Sequence, residues 1–372
     1  MYASKKNTGS IIKAPRSVDL FRNSIATPPL VASVINGKYV NALPLDRQSK
    51  TFRCNGINLP SNTLANWVIN SSDMYLSLIY DRLHELIYSN KVIHADETPT
   101  KVMRIDGKKI VNGKKTYMWV YRNNPSSKSP PIVLFDWQPS RRADHPRDFL
   151  KDFSGTGVTD GYQVYHKLGK ERPDLNVAGC WVHLRRKFYD SILNHNMDLP
   201  SLGREGVRYC DRLFRIEERL ENVDPEERLR VRRKESLPIV EEFYTWLEAR
   251  DPAYKRQKEA ITYARNQKAE LLRFLDDGRI PISNNAAENA IRPFVIGRKN
   301  WLFCKSNDGA VAAADAYSLV ETAKANGLDV LKYLNYVFRK IPVAEGNLSD
   351  DFIESLMPWN EVVRAQCQRG YI

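Results

Sequence analysis

Residues 91–102 read KVIHADETPTKV, and the fold turns on how that run is taken. Val92 and Ile93 suit a strand entering an apolar interior, with Asp96 near its exit. Two hairpin signals follow, IDGK at 105–108 and VNGK at 111–114, each with the glycine that a tight antiparallel turn favours. TYMWVYR (116–122) alternates Tyr117, Trp119 and Tyr121 on one face with Met118 and Val120 on the other, and PPIVLFDWQ (130–138) is a third strand. HPRDFLKDF (145–153) reads as a helix, GTGVTDGY (155–162) as a short fourth strand, and NVAGCWVH (176–183) as a fifth before the helix LRRKFYDSIL (184–193). The order βββαβαβα predicts an α/β protein, a mixed sheet covered by helices.

On the N-terminal side, residues 1–28 are polar with Pro and Ser and read as a flexible arm. Residues 29–89 read as helical. Pro44 opens a helix carrying Leu45, Arg47, Gln48 and Phe52, and Gly56 ends it. Ser61 or Asn62 caps the next, with Leu64, Trp67 and Val68 at helical spacing. A further helix covers about 72–89. This predicts a helix-turn-helix-like unit whose outward Asn62, Thr63 and Asn66 would meet a DNA groove. The alternative is a helical hairpin that only packs on the sheet. On the C-terminal side, strand signals vanish over 184–282 and long charged helices replace them. A segment 283–340 with two helices broken at Gly327 follows, then a tail at 341–372.

With 372 residues and a formal net charge of +13, the chain favours an anionic partner such as nucleic acid. Its start lacks the apolar segment of a signal peptide, and no apolar run reaches bilayer length. The five cysteines form no CxxC pair, which fits a reducing compartment. The expectation is a cytoplasmic protein with no membrane partner.

Three acids stand out by position: Asp96 after the first strand, Asp160 after the fourth, and Glu288 in SNNAAENAIRPFVIGRKNWLF (283–303). Functional groups in α/β sheets gather at the carboxyl ends of strands. Carboxylates meeting there repel one another unless a cation lies between them, and a hard divalent ion such as Mg²⁺ suits them. Each acid also has a plain structural reading: Asp96 as a turn cap, Asp160 as a turn residue before Gly161, Glu288 as a solvated charge. Cys180 and His183 have the spacing of half a zinc site, and no second half is visible, so structural zinc is not expected.

HADETPTKV (94–102), TDGYQVY (159–165), GCWVHLRRKF (179–188), and SNNAAENAIRPFVIGRKNWLF with AYSLVETAKANGLDVLKYL (316–334) together make the sequence similar to the IS66 family of bacterial insertion-sequence transposases. The likeness runs from about residue 25 to LMPWN at 356–360. It implies an RNase H-like catalytic core, residues 90–183 and 283–340, interrupted by a helical insertion. It also implies a DDE triad, here Asp96, Asp160 and Glu288, binding Mg²⁺ or Mn²⁺. The expected activity is divalent-metal-dependent strand cleavage at transposon ends and strand transfer into target DNA. The partners implied are double-stranded DNA, further copies of the chain on DNA, and small accessory proteins of the same element. Arg292, Arg298 and Lys299 would then hold phosphates, and Trp301 would stack on an unpaired base or else sit in the core. His183, Arg185 and Arg186 become candidates for contact near the active site, His183 alternatively being a strand-end histidine. Family members usually carry an N-terminal zinc-ribbon-like region with paired cysteines. It is not among these residues, which puts recognition of the element's ends in question. Two other readings stay open: a non-catalytic DNA-binding remnant, and a structure-specific nuclease on the same fold.

Overall fold

The computed structural model describes residues 2–3, 11–12, 18–110, 115–125, 128–192, 201–344, 346 and 348–370. Its centre is a five-stranded sheet of β1 (Val92–Thr100), β2 (Thr116–Asn123), β3 (Val133–Gln138), β4 (Gly155–Val158) and β5 (Leu175–Ala178). The spatial order is β3–β2–β1–β4–β5. The first three strands are antiparallel, and β4 and β5 run parallel to β1. The expected mixed sheet is therefore present. In β2 the run Met118, Trp119, Val120 and Tyr121 is wholly buried, so both faces of the sheet are covered and its alternation does not separate core from solvent. The IDGK turn joins a short ribbon, Arg104–Ile105 with Lys108–Lys109, and both Asp106 and Gly107 have positive φ, as a type I′ turn requires. The VNGK turn lies outside the described residues.

Strand β1 is longer than expected, and this places Asp96. It pairs with β4 only over Val92–His94, whereas its pairing with β2 continues to Thr100. Asp96 therefore sits in mid-strand and not at the exit, at the level where β4 has already ended. The fifth strand is shorter than expected. After Ala178 the chain leaves the sheet: the Gly179 amide donates to the Glu270 carbonyl at 2.9 Å and the Trp181 amide to that of Ile282 at 3.0 Å. With those donors drawn off, Cys180 becomes the N-cap residue of helix α7 (Trp181–Asp190), which follows the helices α5 (Asp144–Phe149) and α6 (Gln163–Glu171) that flank β4 in the chain. His183 is thus in the first turn of a helix and not at a strand end.

Helices α1 (Pro28–Tyr39), α2 (Leu45–Cys54) and α3 (Ser61–Ser71) form the N-terminal unit. Pro60, not Ser61 or Asn62, precedes α3 as its cap residue. Without interruption α3 passes through a π-helical turn, Ser72–Leu76, into α4 (Ser77–Ile87). Such turns widen the helix by a residue, and here the widened turn lets the Ser72 hydroxyl donate to the Asp315 carboxylate in the core. The end of the expected arm is packed, with Leu20 and Phe21 buried and Phe21 stacked on Tyr75. The rest of that arm lies largely outside the described residues.

Between α7 and residue 280 the described chain is helical: α8 (Leu202–Arg219), α9 (Pro225–Val231), α10 (Leu237–Glu248), α11 (Lys255–Asn266) and α12 (Lys268–Leu272). Helices α8, α10, α11 and α12 share with α7 a second apolar core that includes Trp181, Phe188, Leu213, Phe243 and Phe274. Arg232 is fully buried within it. Its guanidinium meets the Glu217 carboxylate at 2.8 Å and the Phe274 and Ile280 carbonyls at 2.8 and 2.9 Å. A buried charge that is paired and hydrogen-bonded through all three of its nitrogens is tolerated where a lone one is not.

The chain then returns to the sheet with α13 (Asn285–Trp301), α14 (Asn307–Ala325) and α15 (Val330–Lys340). Gly327, at φ 76°, makes the expected break. Residues 350–367 are docked: Ile353, Leu356, Met357 and Val363 are buried, and Arg82 holds Glu354 at 2.6 Å. No helix among the described residues is long and apolar enough to cross a membrane.

Candidate active site

Three elements converge beyond the end of β4. Strand β1 brings Asp96 and Glu97, the turn after β4 brings Asp160, and the first turn of α13 brings Glu288. Burial pushes the Asp96 carboxyl up to about 8, and the negative charges of Glu97, Asp160 and Glu288 push the same way. Its Oδ1 accepts the Glu97 amide at 2.8 Å. The three acids singled out in the sequence are thus electrostatic neighbours at one place in the fold.

Asp160 is held by its own turn. Its Oδ1 accepts the Tyr162 amide at 3.0 Å, and its carbonyl accepts the Tyr263 hydroxyl at 2.9 Å. Gly161, at φ 92°, lies so close to Tyr263 and Gln267 that an added Cβ would sit 2.9 Å from Gln267 Oε1. A side chain at that position would be strained twice over, by conformation and by contact.

Glu288 faces α7. Its Oε1 is 3.6 Å from His183 Nδ1, its Oε2 is 4.0 Å from Arg186, and neither Oε1 nor Nδ1 has a hydrogen-bond partner. Burial lowers the His183 pKa, against the pull of Asp160 and Glu288. His183 and Arg186 are therefore at the site. Arg185, one residue between them, is directed away and pairs with Asp211 of α8 at 2.6 Å.

The cations after Glu288 divide in the same manner. Helix α13 survives through Pro293, so Arg292 lies one turn beyond Glu288 and is exposed, as is Lys299. Arg298 is not free: it donates to Thr98 Oγ1 at 2.7 Å and to the Pro99 carbonyl, fastening α13 to β1. Trp301 is partly buried, edge-on to Phe294 with ring centroids 5.5 Å apart, which is the core alternative. Asn62 and Asn66 are exposed on α3 and Thr63 is half-buried. The two asparagines line a groove with Trp301 and Phe303, away from the three acids.

Two residues that the sequence reading passed over belong to this site. Glu97 has a side chain only 1% exposed and is bound by Arg141, which also lies over the Tyr162 ring at 3.7 Å. Burial raises the Glu97 carboxyl to about 7, Arg141 opposing. Its adjacency to Asp96 was the available signal. The second is Asn284, fully buried at the mouth of α13. Its Oδ1 meets His94 Nδ1 at 3.0 Å, its Nδ2 donates to the Ala95 carbonyl at 2.8 Å, and its amide donates to Cys180 Sγ at 3.2 Å. One side chain and its backbone therefore tie β1, α7 and α13 together.

The sequence matches the family model described as Transposase IS66 family over residues 23–312, and that described as IS66 C-terminal element over 318–359. The chain belongs to the IS66 transposase family. All the residues of the acidic site lie within the first of these matches, and DNA is the partner that this family implies. The IS66 chain is also similar to three uncharacterized proteins of Sinorhizobium fredii. It is 32% identical to y4qI over 96% of its own length and 67% of that protein's. It is 29% identical to y4hP over 89% and 62%, and 28% identical to y4jD over 96% and 71%. The IS66 chain thus spans roughly two thirds of the length of these curated relatives.

Proposed function

We propose that Asp96, Asp160 and Glu288 are the catalytic acids of a DDE transposase on an RNase H-like core, with residues 184–282 as its helical insertion. The observation that carries this reading is the convergence of three elements distant in the chain, which makes Asp160 and Glu288 electrostatic neighbours of Asp96. These three partly buried acids would repel one another when ionised, and Glu288 Oε1 has no hydrogen-bond partner and so has a ligand position to spare. Oxygen ligands of this kind fit a hard divalent ion. When bound, Mg²⁺ or Mn²⁺ would supply positive charge to the attacking and leaving oxygens of a phosphodiester.

The chain's own residues do the positioning. Asn284 fixes the start of α13 against β1, which sets Glu288 relative to Asp96. Exposed Arg186, Arg292 and Lys299 offer phosphate contacts that orient DNA without reading its sequence. His183, facing Asp160 and Glu288, can donate to a phosphate oxygen or to the leaving hydroxyl. No covalent intermediate on the protein is required: catalysis here is placement and charge stabilisation.

The test uses labelled DNA bearing the element's terminal inverted repeats, a target plasmid, and Mg²⁺ or Mn²⁺. Wild type is expected to nick and join. Asp96→Asn, Asp160→Asn and Glu288→Gln are each expected to lose both activities by at least about 10³-fold while retaining DNA binding. Nicking that survives all three substitutions would overturn the assignment.

A further inference from the structure

Cys180, His183 and Glu288 come from two helices far apart in sequence, yet one ligand atom from each lies within 4.8 Å of the others. Spacing alone shows Cys180 and His183 as half of a metal site, and the fold supplies a third ligand from α13. We propose that these three side chains form a site for a thiophilic divalent cation of the Zn²⁺ class, sharing Glu288 with the acidic site.

The donor set is sulfur, imidazole nitrogen and carboxylate oxygen, which zinc accepts in tetrahedral sites that keep one position for water. Thiolate ligation selects against Mg²⁺, so this is a chemically different site from the Asp96–Asp160 pair. A tetrahedral ion with bonds of about 2.0–2.3 Å spaces its ligands by about 3.3–3.8 Å, so a small closing movement of three side chains suffices.

The surroundings favour ligation. His183 Nδ1 and Glu288 Oε1 are shielded from solvent and lack hydrogen-bond partners. Cys180 is fully buried at the head of α7, with the Asn284 amide donating to its sulfur at 3.2 Å. Against ligation, burial holds its thiol up at about 11, a cost that the amides of Asn284, His183 and Val182 offset in part. A bound cation would release the thiol proton to solvent. Glu288 would then be drawn toward α7, so zinc would compete with the divalent ion of the acidic site. That last consequence rests on the transposase reading, whereas the metal site does not.

The test is titration of the full chain with Co²⁺, a spectroscopically visible substitute for Zn²⁺, without DNA. Wild type is expected to develop a saturable thiolate-to-cobalt charge-transfer band that Zn²⁺ displaces. Cys180→Ser should lose the band and Cys54→Ser should keep it, with circular dichroism checking that each variant folds. His183→Ala should weaken cobalt binding at least about ten-fold, which keeps the test decisive if Cys180→Ser does not fold. A silent spectrum in wild type, or a band that persists in Cys180→Ser, overturns the site. If the band appears but an aliquot kept free of Co²⁺ and Zn²⁺ never nicks DNA with Mg²⁺, the transposase reading fails and this site stands. If the preparation nicks and the cobalt spectrum is silent, the reverse holds.

Discussion

Asn284 is the residue on which the site's geometry most depends. Its amide group meets one nitrogen of a buried imidazole, His94 Nδ1, and a buried carbonyl of β1, and its backbone reaches Cys180. Asn284→Ala would leave His94 Nδ1 and the Ala95 carbonyl without partners inside the core. Each such orphan costs about 1–3 kcal/mol, so the urea midpoint should fall by a corresponding amount with an unchanged slope. Asn284→Asp keeps the shape but loses the donor to Ala95 and adds a negative charge beside existing carboxylates. It should be no better than alanine. A variant as stable as wild type would show that β1 and α13 are held by other contacts, of which Arg298 to Thr98 is the first candidate.

At the scale of elements, the seam between β3 and α14 shows how this sheet ends. As the outermost strand, β3 presents backbone donors that another chain could pair with. Ser318 and Thr322 of α14 cover them: the Phe135 amide donates to Ser318 Oγ at 2.7 Å and the Val133 amide to Thr322 Oγ1 at 3.0 Å. Helix α14 lies this close because Ala310, Ala312, Ala313, Ala314, Ala316 and Ala323 are small and buried. Replacing both hydroxyls, Ser318→Ala with Thr322→Val, should destabilise by about 2–4 kcal/mol and increase light scattering on heating. An unchanged melting temperature would count against the seam.

The same seam buries two carboxyls. Burial raises Asp136 to about 7, with a further push from Asp315, and raises Asp315 to about 6 against the Ser72 hydrogen bond. Both values exceed that of an unfolded aspartate, near 3.9, so the folded state binds more protons between about pH 4 and 7. Stability contributed by these groups is complete below pH 4 and is lost as pH rises through 6 and 7. In chelator, the denaturation midpoint should therefore fall over that window. Asp136→Asn with Asp315→Asn should flatten the fall, and identical pH slopes would exclude these two groups as its source.

For the whole molecule, the decisive quantity is charge. With a net +13, the transposase reading predicts that phosphate contact is the main source of DNA affinity, and such affinity falls steeply with salt. Arg292 and Lys299, exposed on α13, should each lower the slope of log K against log salt by about 0.9 when replaced by alanine. Arg298→Ala and Arg185→Ala should leave that slope unchanged, since Arg298 is spent on Thr98 and Pro99 and Arg185 on Asp211. Equal slopes for all four variants would mean that DNA lies elsewhere on the surface, the α3 groove with Asn62 and Asn66 being the alternative.

Local sequence determined the sheet's strands, the Asp106–Gly107 turn, the break at Gly327 and the three candidate acids, because periodicity, turn chemistry and strand position are short-range properties. It misplaced what depends on partners distant in the chain. NVAGCWVH has the composition of a strand, yet Glu270 and Ile282 draw its donors away and leave Cys180 heading a helix. Arg185, Arg186, Arg292 and Arg298 look alike as a list of cations, and only packing decides which face solvent and which are spent on carboxylates and carbonyls. Whether Asp96, Asp160 and Glu288 share a site was likewise a tertiary matter. It needs β1 to outrun β4, the chain to return through α13, and Asn284 to hold both in place.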